Sequence, residues 1–416
     1  MDLPNSKKVL FITAGQPSLN PRLVKEADAL TGAGYEVIVL YAYWNKWGTR
    51  YDQQLLAGKK WKAIRVGGDP EQTPFPWAIS RLILKTAKYI LQKTGRYEYF
   101  AKLAISRSGY FLIRRAKREK ADLYIAHNLG ALPAAVETAL YYKKPCGFDA
   151  EDFHRQEITD DINSFHFKIC SYIENKYLPL VNYITASSPL IAERYATLYK
   201  VKATTLLNVF PKTPRSVVSN SDKDKPLKLF WFSQTIGPNR GLEDVIAALH
   251  LLKAHAFELH LLGEPAGDIK NIFTIHLKDE PGTIHFHGPI PSDQIIEFAS
   301  QFDIGLALER ATPLNRDICL TNKIFTYIQA GLAVIASNTT AQTELLNQYP
   351  AIGKLYKKEN TQSLADALLY YLQNRDELFE TRNAALIIAD KQLNWENESQ
   401  KFLNIIEDVL TIMPQK

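Results

Sequence analysis

Lys323 stands in the first turn of a helical pattern that opens with Thr321 and Asn322, turns Ile324, Phe325, Ile328 and Leu332 inward and breaks at Gly331. The first backbone N–H groups of a helix have no partner within it, and the helix dipole adds partial positive charge there. A lysine at that end opposes the dipole, so the placement favours a negative ligand, and a diphosphate has the right charge. The same residues also describe a capped surface helix with a solvated lysine. Arg240, in the turn Gly237-Pro238-Asn239-Arg240-Gly241, is either a guanidinium that grips phosphate oxygens bidentately or a solvated turn residue. Glu309 follows the apolar run 304–308, and ligands of α/β sheets gather beyond the carboxyl ends of strands, although a surface pair with Arg310 explains it as well. His127 ends the run 123–126 and reads either as a group that meets a hydroxyl or as a buried, hydrogen-bonded histidine.

Such residues need a frame that brings distant loops together. Apolar runs at 9–12 and 37–40 flank a helical pattern through Leu23, Ala27 and Leu30, and strand, helix, strand in that order means a parallel, doubly wound sheet. Runs at 123–126, 183–186 and 204–207 continue it. After Pro211 the chain is polar and proline-flanked as far as Pro226, a linker pattern. A second alternation follows, with strand candidates at 229–232, 258–262, 284–286, 304–308 and 333–336. The expected organisation is an N-terminal Rossmann-like domain over 1–211, a linker over 212–226, a second Rossmann-like domain over 227–394 and a C-terminal helix over 395–416, with the ligand between the two domains. Gly15 is alone in the turn after the first strand, which argues against a dinucleotide oxidoreductase, and no P-loop sequence is present.

With 416 residues, 46% of them hydrophobic, the chain has ample apolar material for two domains. The net charge of +6 is unevenly spread: between Arg81 and Lys120 stand twelve lysines and arginines against only Glu98 and Glu119. Trp77, Leu82, Tyr89, Tyr97, Phe100, Tyr110 and Phe111 interleave with those cations, a pattern that suits anionic lipid headgroups, nucleic acid on charge alone, or plain solvated helix faces. Cys146, Cys170 and Cys319 are far apart and lack C-x-x-C spacing, so neither a disulfide framework nor a zinc site is expected, and a reducing cytoplasm fits. His285 and His287 share one side of a strand, but no third ligand stands near them in the chain, so no metal is expected there. A signal sequence and a run of about 18 uncharged apolar residues are both missing, so neither standard secretion nor a membrane span is expected.

The stretch Leu320-Thr321-Asn322-Lys323-Ile324-Phe325-Thr326-Tyr327-Ile328-Gln329-Ala330-Gly331-Leu332-Ala333-Val334-Ile335-Ala336-Ser337 resembles the nucleotide-sugar signature of glycosyltransferase family 4, the glycosyl transferases group 1. That family has the GT-B fold, an α/β architecture of two facing Rossmann-like domains whose C-terminal helix crosses back to the first. Thr326 stands where the family has a ribose-binding glutamate, and Ala333 where it has proline. The loop 232–242 is similar to the family's diphosphate clamp, with Arg240 at the second cation and Gln234 in place of the first. His127-Asn128 matches the family's histidine-acidic pair with Asn128 for aspartate, and the run from Phe148 to His154 is similar to an acidic loop near the acceptor.

By this resemblance His127, Arg240, Lys323 and Glu309 are the catalytic candidates, and Gly15, Gly237, Ile290, Thr321, Asn322 and Thr326 the donor-binding ones. Asn20, Arg22, Asn128, Asp149, Glu151 and Asp152 fall on the acceptor side. The implied reaction moves a sugar from a nucleoside-diphosphate sugar to a glycan, a lipid-linked or a small-molecule acceptor, with retention, without metal or cofactor. Fixed cations and the helix end would stabilise the departing diphosphate. A cytoplasmic protein at the inner face of an anionic membrane, making glycans or a polysaccharide precursor and binding no nucleic acid, is the matching expectation. Two alternatives stand: a non-catalytic subunit that binds sugar nucleotide, and a sugar-nucleotide epimerase of the same fold.

Overall fold

The computed structural model describes residues 6–213, 225–252, 257–276 and 284–412; residues 214–224 of the expected linker lie outside them. The chain divides into two compact units, Met1–Leu206 with Ser399–Lys416, and Leu207–Glu398.

The first unit is built on strands β1 (Lys8–Thr13), β2 (Glu36–Ala42), β3 (Lys62–Val66), β4 (Leu123–His127), β5 (Cys146–Ala150), β6 (Tyr183–Ala186) and β7 (Ala203–Thr205). They lie in the order β3-β2-β1-β4-β5-β6-β7, every neighbouring pair parallel. β4 and β5 are buried along their whole length, as parallel strands covered on both faces are. The strand order reverses direction between β1 and β4, where Thr13 and His127 are Cα partners, and such a reversal opens a crevice at the carboxyl ends. The helix Pro21–Gly32 starts there, with Pro21 at its first position and the Asn20 side chain accepting from the Leu23 N–H at 3.0 Å. The helix Trp395–Ile412 returns the chain to this unit at Ser399, and its Phe402, Ile405 and Ile406 lie in one core cluster with Val9, Phe11, Leu23 and Val39.

The second unit repeats the plan with β8 (Leu227–Ile236), β9 (Phe257–Pro265), β10 (Ile284–His287), β11 (Ile304–Ala307), β12 (Ala333–Ser337) and β13 (Gly353–Tyr356). Their order is β10-β9-β8-β11-β12-β13, again all parallel, with the reversal between β8 and β11. Leu227, Leu229 and Trp231 of β8 share a core with Leu259 and Leu261 of β9 and with Leu306 and Ile335. β5 runs on through Asp149 and Ala150, so the acidic stretch expected to follow that strand begins inside the sheet.

The helix Asn322–Gln329 lies against β11 through Tyr327, whose hydroxyl donates to the Leu306 carbonyl at 3.1 Å. Its ring occupies the space beside Gly305, where a Cβ would sit 2.2 Å from Tyr327 Cγ. Gly305→Ala is expected to destabilise the protein by about 1–3 kcal/mol through overpacking, measured by thermal denaturation. Gly237→Ala, where a Cβ meets only Ala266 at 3.8 Å, should leave the melting temperature close to that of the parent.

Candidate functional site

In the second unit the chain leaves β11 and reaches Glu309, whose backbone is held by the last residue of the neighbouring strand. The Glu309 N–H donates to Ser337 Oγ at 2.9 Å, and the Ser337 hydroxyl donates back to the Glu309 carbonyl at 2.6 Å. Gln342 Nε2 donates to Ser337 Oγ at 3.0 Å and completes the brace. So fixed, the Glu309 carboxylate accepts from Lys323 Nζ at 2.7 Å and from Thr321 Oγ1 at 3.2 Å. Thr321 occupies the cap position of the helix Asn322–Gln329, but its hydroxyl is turned to Glu309 and caps no helix N–H. The helix end therefore keeps its donors for a ligand, with one cation beside it.

The loop after β8 carries Gly237, Asn239 and Arg240. Asn239 and Gly241 adopt left-handed backbone, at φ 61° and 78°, and the Asn239 N–H donates to Glu243 Oε1 at 2.8 Å, which folds the turn onto the start of the helix Leu242–Leu251. Arg240 is exposed and makes no ion pair or side-chain hydrogen bond among the described residues. Arg310 donates to Asn239 Oδ1 at 3.2 Å, joining the loops after β8 and β11. Glu309 and Arg310 thus do not pair with each other. Ile290 is partly exposed beyond the carboxyl end of β10.

In the first unit a set of charges is sealed at the reversal between β1 and β4. Arg22 holds Asp149 with two hydrogen bonds, Nε to Oδ2 at 2.7 Å and Nη2 to Oδ1 at 2.6 Å, and also donates to the Leu206 carbonyl. Thr185 donates to Asp149 Oδ1 at 2.5 Å. His127 lies between carboxylates, Nε2 at 3.0 Å from Glu26 and Nδ1 at 3.2 Å from Glu151 and 3.3 Å from Asp149. Asn20 Nδ2 donates to Glu151, and Asn128 Nδ2 donates to Thr13 Oγ1 at 3.0 Å. Asn128 sits at φ 63°, a left-handed conformation that asparagine adopts more readily than most residues other than glycine. Gly15 lies in the loop between β1 and the helix Pro21–Gly32, its N–H on Thr13 Oγ1 at 3.3 Å, and Gln16 ties that loop to Asp52 at 2.8 Å.

Burial works against the His127 imidazolium, but the charges of Glu26 and Asp149 and the hydrogen bonds to Glu151 and Glu26 outweigh it, and its pKa is pushed up to about 10. Burial, followed by the Asp149 charge, also raises Glu26. On β10 and the adjacent β9 the sign is opposite. Burial first, then His285, His287 and Lys228, lower His260 to about 3, and burial and His285 lower His287, so these rings stay neutral.

Residues 227–374 match the family model described as Glycosyl transferases group 1. The matched stretch lies within the second unit, Leu207–Glu398. The chain is also similar over its length to solved structures. They include HepE of Anabaena in complex with UDP (14% identity, 96% of this chain and 100% of that one, TM-score 0.67). A glycosyltransferase from Rickettsia africae matches at 14% identity, 99% and 100% coverage and TM-score 0.67. Sucrose-phosphate synthase from Thermosynechococcus elongatus matches at 12% identity, 98% and 100% coverage and TM-score 0.65. No curated protein matches the sequence. At these identities the likeness is one of fold, and the fold is GT-B.

Within this GT-B frame the structure unites Glu309, Lys323 and Thr321 in one hydrogen-bonded group and sets Arg240 and Gly237 on the loop across the strand reversal. Thr326 is 1% exposed and its hydroxyl donates back to the Asn322 carbonyl at 2.9 Å. His127, Arg22 and Asp149, at 0%, 1% and 0% exposure, lie in a sealed network of mutual hydrogen bonds and ion pairs. Asn20 is nearly buried, while Asn128, Glu151 and Asp152 keep accessible surface. Ser337, Arg310 and Glu26 were not among the candidate site residues of the sequence. Glu26 left a signal in its i,i+4 spacing from Arg22 on one helix face.

His127, pushed up to about 10, and His154, which Glu157 pushes up to about 9 against the effect of burial, both bind protons more tightly folded than at their ordinary 6.5. Their contribution to stability is complete below about pH 6.5 and is lost as the pH rises through the folded values. The melting temperature is expected to fall between about pH 7 and pH 10, with a shallower slope in His127→Gln. Equal slopes in parent and variant would refute the buried imidazolium.

Proposed function

We propose that the protein transfers a sugar from a nucleoside-diphosphate sugar to a glycan, lipid-linked or small-molecule acceptor, with retention and with no metal in the transfer step. The observation that carries the reading is the helix end at Asn322, uncapped by Thr321 and flanked by Lys323, with the Glu309 carboxylate set beside it by Ser337. The similar HepE structures hold UDP, UDP with glucose and UDP-glucose, which makes a uridine diphosphate sugar the first donor class to examine.

Without ligand, Lys323 is neutralised by Glu309. An arriving diphosphate competes for that ammonium, gains the helix N–H groups and, from the loop after β8, the Arg240 guanidinium. In a front-face displacement the bond from the anomeric carbon to the diphosphate oxygen breaks as the bond to the acceptor oxygen forms, and the acceptor proton passes to the departing diphosphate. Lys323, Arg240 and the helix end then hold charge that grows on the leaving group, which is where fixed cations lower a barrier most. Glu309, freed from Lys323, faces the sugar carbon that becomes positive.

The acceptor reading draws on the basic segment of the first unit. Its helices Pro74–Thr94, Tyr97–Ala104 and Gly109–Ala116 expose Phe75, Leu82, Tyr89 and Tyr99 among cations. A cavity of about 610 Å³ next to them is lined by Arg65, Arg114, Arg115 and Arg118. Apolar side chains among arginines suit an anionic lipid surface and a phosphate-bearing acceptor, as for a cytoplasmic enzyme at the membrane face. Among the described residues no helix is long and apolar enough to cross a membrane.

Lys323→Ala and Arg240→Ala are each expected to weaken nucleoside-diphosphate binding by more than about tenfold, read by calorimetry, and unchanged affinity would remove the diphosphate assignment. Glu309→Gln separates the two halves of the reading: diphosphate affinity should rise, because Lys323 loses its competitor, while turnover falls. Release of free diphosphate only when an acceptor is present distinguishes transfer from epimerisation, and binding with no turnover under any acceptor would mark a binding subunit.

A further inference from the structure

We propose that the second unit carries a transition-metal site at the edge of its sheet, formed by Glu258 and His260 of β9 and His285 of β10. It would take Zn²⁺ or a neighbouring divalent ion such as Co²⁺. Parallel pairing makes His285 the Cα partner of His260 and His287 that of Leu262, and residues two apart on a strand share a face. Glu258, His260, His285 and His287 therefore form one patch, and one ligand atom from each of Glu258, His260 and His285 lies within 4.8 Å of the others.

The hydrogen bonding of this patch is incomplete in a way an ion resolves. His260 Nδ1 and His287 Nε2 are 3.0 Å apart, so one of the two must donate. With His260 Nδ1 as donor, its Nε2 carries a lone pair that faces the Glu258 carboxylate at 3.5 Å, two acceptors opposed across a gap too long for a hydrogen bond. His260 is only 9% exposed. Its Nε2 and that of His285 are both buried with no hydrogen-bond partner among the described residues. Ligands about 2.1 Å from a tetrahedral ion lie about 3.4 Å from each other, so the His260–Glu258 separation is already that of a coordination edge. The His285 ring stacks on His260 with centroids 4.5 Å apart and offers the third donor within 4.8 Å of the other two. Two imidazoles and a carboxylate, with water in the fourth position, suit zinc and cobalt and not the oxygen-seeking Mg²⁺ or Ca²⁺. His287 acts as the outer partner that fixes the tautomer of a metal-bound histidine.

β9 and β8 stand between this edge and β11, so the ion sits apart from Glu309 and Lys323 and takes no part in the transfer. Its effect is mechanical: it ties the edge strand β10, and with it the turn Gly288-Pro289-Ile290, to β9.

The test uses the full chain after dialysis against a chelator, titrated with Zn²⁺ by calorimetry and with Co²⁺ by visible absorption. The parent should bind one tight equivalent, give the spectrum of four-coordinate Co²⁺ and melt higher with Zn²⁺ than without. His285→Gln and Glu258→Gln should each weaken that equivalent by more than about tenfold and abolish the Zn²⁺-dependent rise, with metal-free melting close to the parent's. They alter different strands, so misfolding of one leaves the other to decide. His250→Gln, an exposed histidine outside the patch, should bind as the parent does. Absence of a stoichiometric equivalent in the parent, or equal binding by the parent and both variants, would overturn the site.

Discussion

A parallel sheet allows its chain no short way back. Each strand must be followed by a crossover before the next begins, so all carboxyl ends open on one edge and all their loops crowd there. Both units obey this constraint, and in both the strand order reverses once, between β1 and β4 and between β8 and β11. Residues as distant in the chain as Arg22, His127, Asp149 and Thr185 meet because they end or follow strands of one sheet. Glu309, Thr321, Lys323 and Ser337 meet for the same reason in the other.

The two meeting points use charge differently. In the first unit Arg22, His127, Glu26 and Asp149 are closed to water, and such a set is held by mutual pairing: removal of one member strands the others uncompensated in a medium that solvates them poorly. The more accessible Glu151 joins it through His127 Nδ1. In the second unit the Lys323–Glu309 pair keeps some exposure, with side chains at 13% and 12%.

How far the amino-acid pattern discloses this depends on the kind of interaction. Continuous apolar runs reveal the central strands, since a strand covered on both faces must be apolar throughout. β3, Lys-Ala-Ile-Arg-Val and only partly buried, and the four-residue β13 carry too little of that pattern to stand out. Asp149 reads as loop by its acidic neighbours, because nothing local announces that Arg22, far earlier in the chain, will neutralise it inside the sheet. The signature around Lys323 names the residues, yet whether a side chain is free depends on its partners: Thr326 turns to the helix backbone and Lys323 to Glu309. The histidines of β10 look like an incomplete pair along the chain. Their companions Glu258 and His260 come from the parallel strand before, more than twenty positions upstream, a relation that only strand register creates.

The C-terminal helix imposes an order of assembly. The second unit is one continuous stretch, Leu207–Glu398, whereas the first is interrupted by it and draws Phe402, Ile405 and Ile406 into its core only after the chain has come back. On the ribosome, the half that is made first is therefore the half that finishes last. Val9, Phe11 and Leu23 must wait, with one side of their core open, until the whole of the second unit has been synthesised.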